Sequence, residues 1–156
     1  MQVTDEKRMN SRVRPAYDAV ERALEQVGDA WTFLIMREAF FGVRRFDDFQ
    51  KNTEATTNIV ADRLKKLVGF GLLAKKPYCE RPPRFEYVLT EKGADLYGAI
   101  VLLKQWGDRW LGESGGSALQ LIHKTCGAHT TPELVCNVCK APIHVRDMDW
   151  APGEET

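Results

Sequence analysis

Three cysteines and one histidine near the C-terminal end of the chain have the spacing of a metal site. Two residues separate Cys136 from Cys139, and two residues also separate His123 from Cys126. Two such pairs can place four sulfur and nitrogen donors around one tetrahedral Zn²⁺ ion. The spacing therefore predicts a structural zinc site formed by His123, Cys126, Cys136 and Cys139.

The choice of histidine is open, because two others lie nearby. Cys126 has the same spacing to His129, and His144 follows the second cysteine pair. Two alternatives need no metal: reduced thiols in a short hairpin, or a disulfide between Cys136 and Cys139 formed on oxidation. The apolar stretches around the pairs are typical of β structure, so residues 119–147 are predicted to form a zinc-ribbon-like tail, which a metal would stabilise because its core is small.

A second set of residues has the chemistry of DNA contact. Small hydroxyl and amide side chains at the start of a helix can reach base edges in a major groove, and guanidinium groups beside rigid prolines can bind phosphates. The predicted DNA-contacting residues are Arg44, Arg45, Thr56, Thr57, Asn58, Arg63, Lys65, Arg81 and Arg84.

Each of these residues also has a simpler interpretation. Thr57 and Asn58 could be an ordinary solvated helix start, and Arg81 and Arg84 could only add solubility. Arg63 lies close to an apolar stripe, so an ion pair with a carboxylate is as well supported as a phosphate contact.

Motifs of common enzymes are absent from the sequence. The chain has three serines, none of them in G-x-S-x-G, and it contains no G-x-G-x-x-G, no P-loop and no H-E-x-x-H. A zinc ion with four protein ligands would be closed and structural. The chain is therefore predicted not to be an enzyme. The main alternative to a DNA-binding protein is a protein–protein adaptor.

The net charge of the chain conceals a basic middle segment. The 22 Lys and Arg residues balance the 22 Asp and Glu residues, which by itself argues against nucleic-acid binding. Residues 44–84, however, hold ten positive and five negative charges, whereas residues 146–156 hold one positive and four negative. A local basic surface is what phosphate attraction requires.

The N-terminal residues carry no targeting signal that we recognise. The first fifteen residues mix both signs of charge and lack an apolar stretch. No apolar run approaches the roughly 20 residues of a membrane span. A cytoplasmic location without membrane contact is expected, in which the cysteines are thiols or metal ligands.

Hydrophobic periodicity predicts four helices, a hairpin and a long final helix. The first helices cover residues 17–27 and 31–41, and a short third covers 46–52 with Phe46 and Phe49 on one face. Thr56 caps a fourth helix that ends at Gly69 or Gly71. Two strands flank the basic tip ERPPR, and Thr90 caps one helix through about Leu111. We found no internal repeat.

That order of elements is the order of a winged helix-turn-helix. The third helix, a turn and the fourth helix form the DNA-reading unit, and the hairpin forms the wing. The fold class is α+β and mainly α, with a long C-terminal dimerisation helix and the zinc-ribbon-like tail. The predicted parts are a flexible arm over 1–15, the winged helix over 16–111, a linker over 112–118, the tail over 119–147 and an acidic C-terminus over 148–156.

Several separated strings resemble the HxlR-type transcriptional regulators. They are ERALEQVGDAWTFLIMREAFFGVRRFDDF, ATTNIVADRLKKLVGFGLL, YCERPPRFEYVLTEKG and LKQWGDRW, which together cover about residues 17–111. The resemblance implies a DNA-binding regulator, expected to be a repressor, that forms a homodimer through its first and last helices and binds a pseudo-palindromic operator in double-stranded DNA. Cysteine-bearing tails similar to this one occur in part of that family.

The last helix supports a dimer independently of the resemblance. Leu96, Ile100, Leu103, Trp106 and Trp110 form an apolar stripe that neighbouring apolar residues widen beyond what one small domain can cover. Burial by the chain's own tail is the alternative.

Sensing of a signal is left open by the sequence. Many family members have a sensing cysteine before the first-helix motif, where this chain has Asp18, and Cys79 is the only cysteine of the winged-helix region. An unidentified small-molecule effector could bind near Trp31 and Trp106, although these aromatics are expected to lie in the core.

Overall fold

The computed structural model describes residues 19–112 and 119–148. The N-terminal arm, most of the linker and most of the acidic C-terminus lie outside these ranges. In chain order the elements are α1 (Ala19–Val27), α2 (Ala30–Phe40), α3 (Phe46–Thr53), α4 (Thr57–Gly69), β1 (Leu73–Glu80), β2 (Pro83–Leu89), α5 (Glu91–Asp95), α6 (Tyr97–Trp110), β3 (Leu121–Ile122) and β4 (His129–Thr130).

Side-chain caps set the starts of three helices. The Thr56 hydroxyl accepts a hydrogen bond from the Ile59 backbone at the start of α4, and the Thr90 hydroxyl accepts one from Gly93 at the start of α5. Both caps confirm the sequence interpretation. Asp29 caps α2 by accepting from the Thr32 backbone N–H. The sequence analysis did not single out this cap, although an aspartate before an apolar run is a recognised helix-start signal.

The core lies between α2, α3 and α4, and the first residues of β1 close it. Seven of its side chains are fully enclosed: Ile35, Met36, Phe49, Val60, Leu64, Leu67 and Leu73. On α4 the apolar stripe faces this core, while Asn58, Asp62, Lys65 and Lys66 lie on the exposed side. This arrangement leaves one polar face of α4 open to solvent.

A buried carboxylate joins α2 to α3. The Glu38 side chain is largely buried, and it accepts hydrogen bonds from Arg37 on one oxygen and from Asn52 on the other. Burial of an ionised group is tolerated only with such partners. Glu38 therefore fixes how α3 lies against α2.

Strands β1 and β2 form an antiparallel hairpin that is longer than the sequence suggests. Pairing runs from Leu73 with Leu89 to Glu80 with Pro83, with a bulge between Pro77 and Cys79. Of the two prolines in the predicted tip, Pro82 lies in the turn and Pro83 belongs to the outermost pair of the ladder, where its missing N–H has little effect on pairing. A bridge between Arg45 and Glu86 adds the segment before α3 to the sheet.

The predicted single long helix after Thr90 is wrong, because the structure divides it at Leu96 into α5 and α6. Gly93 lies so close to the Leu72 carbonyl that an added Cβ would be 2.0 Å from its oxygen. The first turn is thus held against the start of β1. Short-range bonds from Leu96 to Gly93 and from Ala99 to Leu96 then interrupt the helix in a 3₁₀ manner.

The tail consists of two small hairpins. Strands β3 and β4 form the first, and a bridge between Val135 and Pro142 closes the second. Leu119 and Leu121 line a small apolar gap with Phe40, Ile100 and Val101, so the first hairpin lies against α2 and α6.

Candidate nucleic-acid interface

Helices α3 and α4 with the turn between them form a helix-turn-helix. The turn contains the buried Ala55 and the left-handed Glu54, whose φ is 56°. The Gln50 side chain donates to the Thr57 hydroxyl at 3.0 Å and so links the two helices. The turn and this bond connect the two helices, and the first turn of α4 is exposed. We call α4 the recognition helix.

Three predicted base-reading residues lie together at the N-terminus of the recognition helix. Thr56 uses its hydroxyl as the cap, and Thr57 accepts the bond from Gln50. Asn58 is exposed and makes no side-chain hydrogen bond within the part of the chain that the structure describes. Of the three, Asn58 is the side chain with its full donor and acceptor capacity available to a ligand.

Arg63 points back into the protein rather than outward. Its Nε donates to Asp29 Oδ1 at 2.9 Å, it also contacts Asp62, and its side chain is only 23% exposed. The geometry favours the ion-pair interpretation over a phosphate contact. Asp62 likewise pairs with Lys66 at 3.1 Å, so its carboxylate balances positive charge on the surface of α4.

The ion pair changes the pKa values of its members. Partial burial of Asp29 acts to raise its pKa, but hydrogen bonds from Thr32 and Arg63 outweigh burial and lower the pKa. For Arg63 the hydrogen bond to Asp29 raises the pKa. Asp29 is therefore ionised at neutral pH and holds Arg63 in place.

Arg44 and Arg45 are positioned by the hairpin. The Arg44 carbonyl accepts from the Tyr87 backbone at 2.7 Å, and its guanidinium lies 3.9 Å from Glu86. The Arg45 guanidinium stacks over Tyr78, 4.8 Å from the ring centroid. Both side chains remain exposed, so they present positive charge beside α3 in a restricted set of directions.

The hairpin tip places Arg81 and Arg84 on either side of its two prolines. Both are exposed, and neither forms an ion pair with any other described residue, which is also true of Lys65 on the recognition helix. The half-buried Cys79 lies just before the tip, with its thiol 3.7 Å from the Arg81 carbonyl. The unpaired basic charges therefore lie on the wing and on the polar face of α4.

The four predicted metal ligands are present as two separate pairs. His123 Nδ1 lies 3.4 Å from Cys126 Sγ, and none of the four cysteines is joined in a disulfide. Hydrogen bonds from the Cys139 and Val138 backbone, and then from the Cys139 thiol, lower the pKa of Cys136. Within residues 19–112 and 119–148, no three His, Cys, Asp or Glu side chains converge on one metal position.

The two aromatic residues considered for effector binding differ in burial. Trp31 packs against the core, as expected, whereas Trp106 is 53% exposed on the outer side of α6. The expectation that both are core residues is therefore wrong for Trp106. The binding of a small-molecule effector remains a prediction. None of the described helices is long and apolar enough to cross a bilayer.

Comparison with known proteins connects this geometry to a family. The HxlR-like helix-turn-helix family matches residues 26–115. An HTH-type transcriptional regulator of Mycobacterium tuberculosis is 47% identical over 136 residues, covering 87% of this chain and 86% of its own. A regulator of Bacillus subtilis, YdeP, is 30% identical over 58% of this chain and 72% of its own.

Solved structures agree with the sequence relatives. The transcription factor PA1607 superposes with a TM-score of 0.79 at 32% identity, over 88% of this chain and 96% of its own. The redox regulator HypR in its oxidised form gives 0.55 at 28% identity, over 59% of this chain and 96% of its own. The PA1607 match is longer than residues 1–112 could supply, so it includes part of the tail. The HypR match is short enough to lie within residues 1–112.

The family consists of transcriptional regulators rather than enzymes. Membership of such a family also favours DNA binding over the protein–protein adaptor that the sequence left as the main alternative. An adaptor needs neither the unpaired basic wing nor the exposed polar start of α4. With a family match over more than half its length and an exposed helix-turn-helix flanked by a basic wing, this chain belongs to the HxlR-type family of DNA-binding transcriptional regulators.

Proposed function

We propose that the protein binds a pseudo-palindromic operator as a homodimer, with the recognition helix in the major groove and the wing on the flanking backbone. The exposed N-terminus of α4 carries this proposal, because Asn58 there has unused hydrogen-bonding groups. Lys65 on the same helix and Arg81 and Arg84 on the wing also have no ion-pair partner among the described residues. An amide side chain in the major groove can pair with the edge of adenine.

The contacts divide into two classes by chemistry. Asn58 and Thr57 are assigned to base edges, and Thr56 to the backbone at the helix start. Lys65 and the arginines of the wing and the β-bridge segment are assigned to phosphates: Arg44, Arg45, Arg81 and Arg84. Arg63 is assigned to the protein's own ion pair with Asp29 instead.

The homodimer is supported by an apolar face on α6 that the described residues leave open. Ala99, Leu102, Leu103, Trp106 and Trp110 repeat at helical spacing on the side of α6 opposite to Val101, which is buried. Trp106 and Trp110 are 53% and 63% exposed, and Leu24 on α1 is also exposed. We call these five α6 residues the outward face. Contiguous apolar surface of this kind is typical of a subunit interface.

Two-fold symmetry then determines the form of the DNA site. A dimer presents two recognition helices to half-sites about one helical turn apart, or a multiple of it. Selection from a random library of double-stranded DNA, followed by fluorescence anisotropy, tests this. We expect an inverted repeat that is bound much more tightly than random DNA.

Salt dependence provides the second measurement in that experiment. A dimer with several phosphate contacts should lose affinity steeply as salt rises, with a logarithmic slope of about −0.9 per neutralised phosphate. Selected DNA without an inverted repeat would contradict the symmetric dimer. Absence of binding at low salt would contradict DNA recognition itself.

Repression is the expected consequence, since occupancy of a promoter blocks polymerase access without any further contact. A reporter gene placed behind the selected operator should be expressed less when the protein is present. Increased expression would assign the protein as an activator.

A further inference from the structure

The tail contains a repeat of 13 residues that the sequence analysis missed. In the first hairpin Leu121 pairs with Thr130 and Ile122 with His129. In the second, Ile143 donates to the Leu134 carbonyl and Val135 pairs with Pro142. Each residue of the second hairpin lies 13 positions after its counterpart in the first. Only a few residue types are shared between the copies, which explains why inspection of the sequence did not reveal them.

The turns of the two hairpins share their hydrogen bonds. His123 donates to the Ala128 carbonyl and accepts from Gly127, while Cys136 donates to the Ala141 carbonyl and accepts from Lys140. Gly127 and Lys140 are both left-handed, with φ of 70° and 63°. A lysine rarely adopts this conformation. Lys140 nevertheless has the same backbone conformation as Gly127 at the equivalent position of the first copy, so the two turns have the same fold.

The repeat places the sulfur and nitrogen donors at equivalent positions. His123 corresponds to Cys136, and Cys126 corresponds to Cys139. His129 instead corresponds to Pro142 and lies in the paired strand β4, and His144 follows the second hairpin. Among the three histidines, only His123 occupies a position where the other copy has a metal-binding side chain.

The spacing of the first pair is suitable for a tetrahedral ion. His123 Nδ1 and Cys126 Sγ are 3.4 Å apart. Two such atoms on one zinc ion, at ordinary Zn–N and Zn–S lengths and a tetrahedral angle, are about 3.5 Å apart. Each hairpin therefore supplies half of a four-coordinate site.

The first hairpin packs on α2 and α6 through Leu119 and Leu121, but no residue of 119–148 is fully buried. Ile122, Leu134 and Val138 are 58%, 54% and 83% exposed. Domains of this size normally need a disulfide or a bound metal in addition to side-chain packing in order to fold. Exposed lysines next to both pairs, Lys124 and Lys140, would also offset the negative charge of three thiolates on a divalent ion.

We propose that one Zn²⁺ ion binds to His123, Cys126, Cys136 and Cys139 and joins the two tail hairpins. Because the two pairs do not converge in the part of the chain that the structure describes, binding of one ion requires the two hairpins to move closer together. The ion is structural, because all four positions are filled by the protein. Three thiols lose their protons to solvent as the ion binds, so affinity rises with pH.

The first test is the metal content of the full-length protein purified without chelators. We expect about one zinc per chain by elemental analysis. Exchange for Co²⁺ should give the visible absorption of a tetrahedral thiolate complex. Less than about half an equivalent of zinc, with no such Co²⁺ spectrum, would overturn the proposal.

Variants identify the ligands. Cys126→Ser, Cys136→Ser, Cys139→Ser and His123→Ala should each reduce the zinc content at least about tenfold. His129→Ala, His144→Ala and Cys79→Ser are matched controls that should retain it. Retention in His123→Ala together with loss in a histidine control would overturn the assignment.

Two further readouts separate loss of metal from loss of fold. Operator binding by each variant reports whether the winged helix is intact, so a variant that binds DNA but not zinc has lost the site alone. If a variant fails to fold, the wild-type protein treated with a chelator is tested in its place. Chelator treatment should release the zinc and increase proteolysis of residues 119–148. Unchanged proteolysis, or a Cys136–Cys139 disulfide in protein purified under reducing conditions, would overturn the proposal.

Discussion

Asn58 and Arg84 occupy different parts of the interface, and their substitutions should have different effects. Asn58→Ala removes a base contact, so we expect a loss of about 1–3 kcal/mol in operator binding and little change on random DNA. Arg84→Ala removes a phosphate contact, so both DNAs should be affected alike and the salt slope should fall by about one. Anisotropy titrations on operator and random duplexes measure both effects.

Lys124→Ala is the matched control for the loss of a positive charge, because Lys124 is exposed in the tail rather than on the wing. It should leave both affinities nearly unchanged. Equal effects of Asn58→Ala on operator and random DNA would contradict the assignment of Asn58 to base reading.

Residue types were more predictable than residue roles. The basic wing and the polar start of α4 follow from composition and helical periodicity. The role of Arg63 does not, because its position near the apolar stripe is compatible with either a phosphate or a carboxylate partner. Asp29, 34 residues away in the chain, becomes that partner only when α2 and α4 pack together.

At the scale of elements, the ion pair between Asp29 and Arg63 joins the start of α2 to the recognition helix. The pKa of Asp29 is lower in the folded protein than the ordinary value near 4. Its contribution to stability is therefore present above the unfolded pKa and is lost as pH falls through the folded pKa. The affected range lies below about pH 4.

Asp29→Asn tests this contribution while it keeps the helix cap, because asparagine is an equally good N-cap. Part of the acid-induced decrease in Tm below about pH 4 should disappear in the variant. The effect should be at most about 1 kcal/mol, because the Asp29 side chain is 42% exposed and solvent screens the pair. Thermal melts across pH measure it.

Asp62→Asn serves as the comparison, since Asp62 lies on the exposed face of α4, where it pairs with Lys66 and contacts Arg63. It should change the acid response less than Asp29→Asn does. An acid response in Asp29→Asn equal to that of the wild type would show that the ion pair does not stabilise the packing of α2 on α4.

Most elements could be predicted because hydrophobic periodicity and caps are local signals. Helices α1 to α4 and the hairpin lie where the pattern indicates. The division of the last helix could not be predicted, because it depends on the close approach of Gly93 to the Leu72 carbonyl, a contact between distant parts of the chain. The tail repeat was missed because equivalent backbone turns can be built from different residue types.

At the scale of the whole molecule, the outward face of α6 predicts the oligomeric state. Leu103→Glu or Trp106→Glu puts a charge into the proposed interface, which costs several kcal/mol if the residue is buried in a dimer. Each should convert the dimer to a monomer in sedimentation experiments and weaken operator binding. The monomer itself should stay folded, because both side chains are about half exposed in it.

Gln105→Glu is the matched control, as it adds the same charge on the same turn of α6 but on the side that faces the tail. It should remain dimeric. A monomeric wild-type protein at micromolar concentration, with unchanged operator binding by Leu103→Glu, would contradict the dimer.

The sequence by itself determined the helix-turn-helix, the basic wing and the paired spacing of the tail ligands. These features depend on local periodicity, charge and residue spacing, all of which are properties of the linear sequence. Only the tertiary structure decided that Arg63 faces Asp29, that the last helix divides at Leu96, that Trp106 lies outside the core and that the tail consists of two equivalent hairpins. Each of these depends on which distant segments meet, and that follows from packing of the whole chain rather than from any one segment.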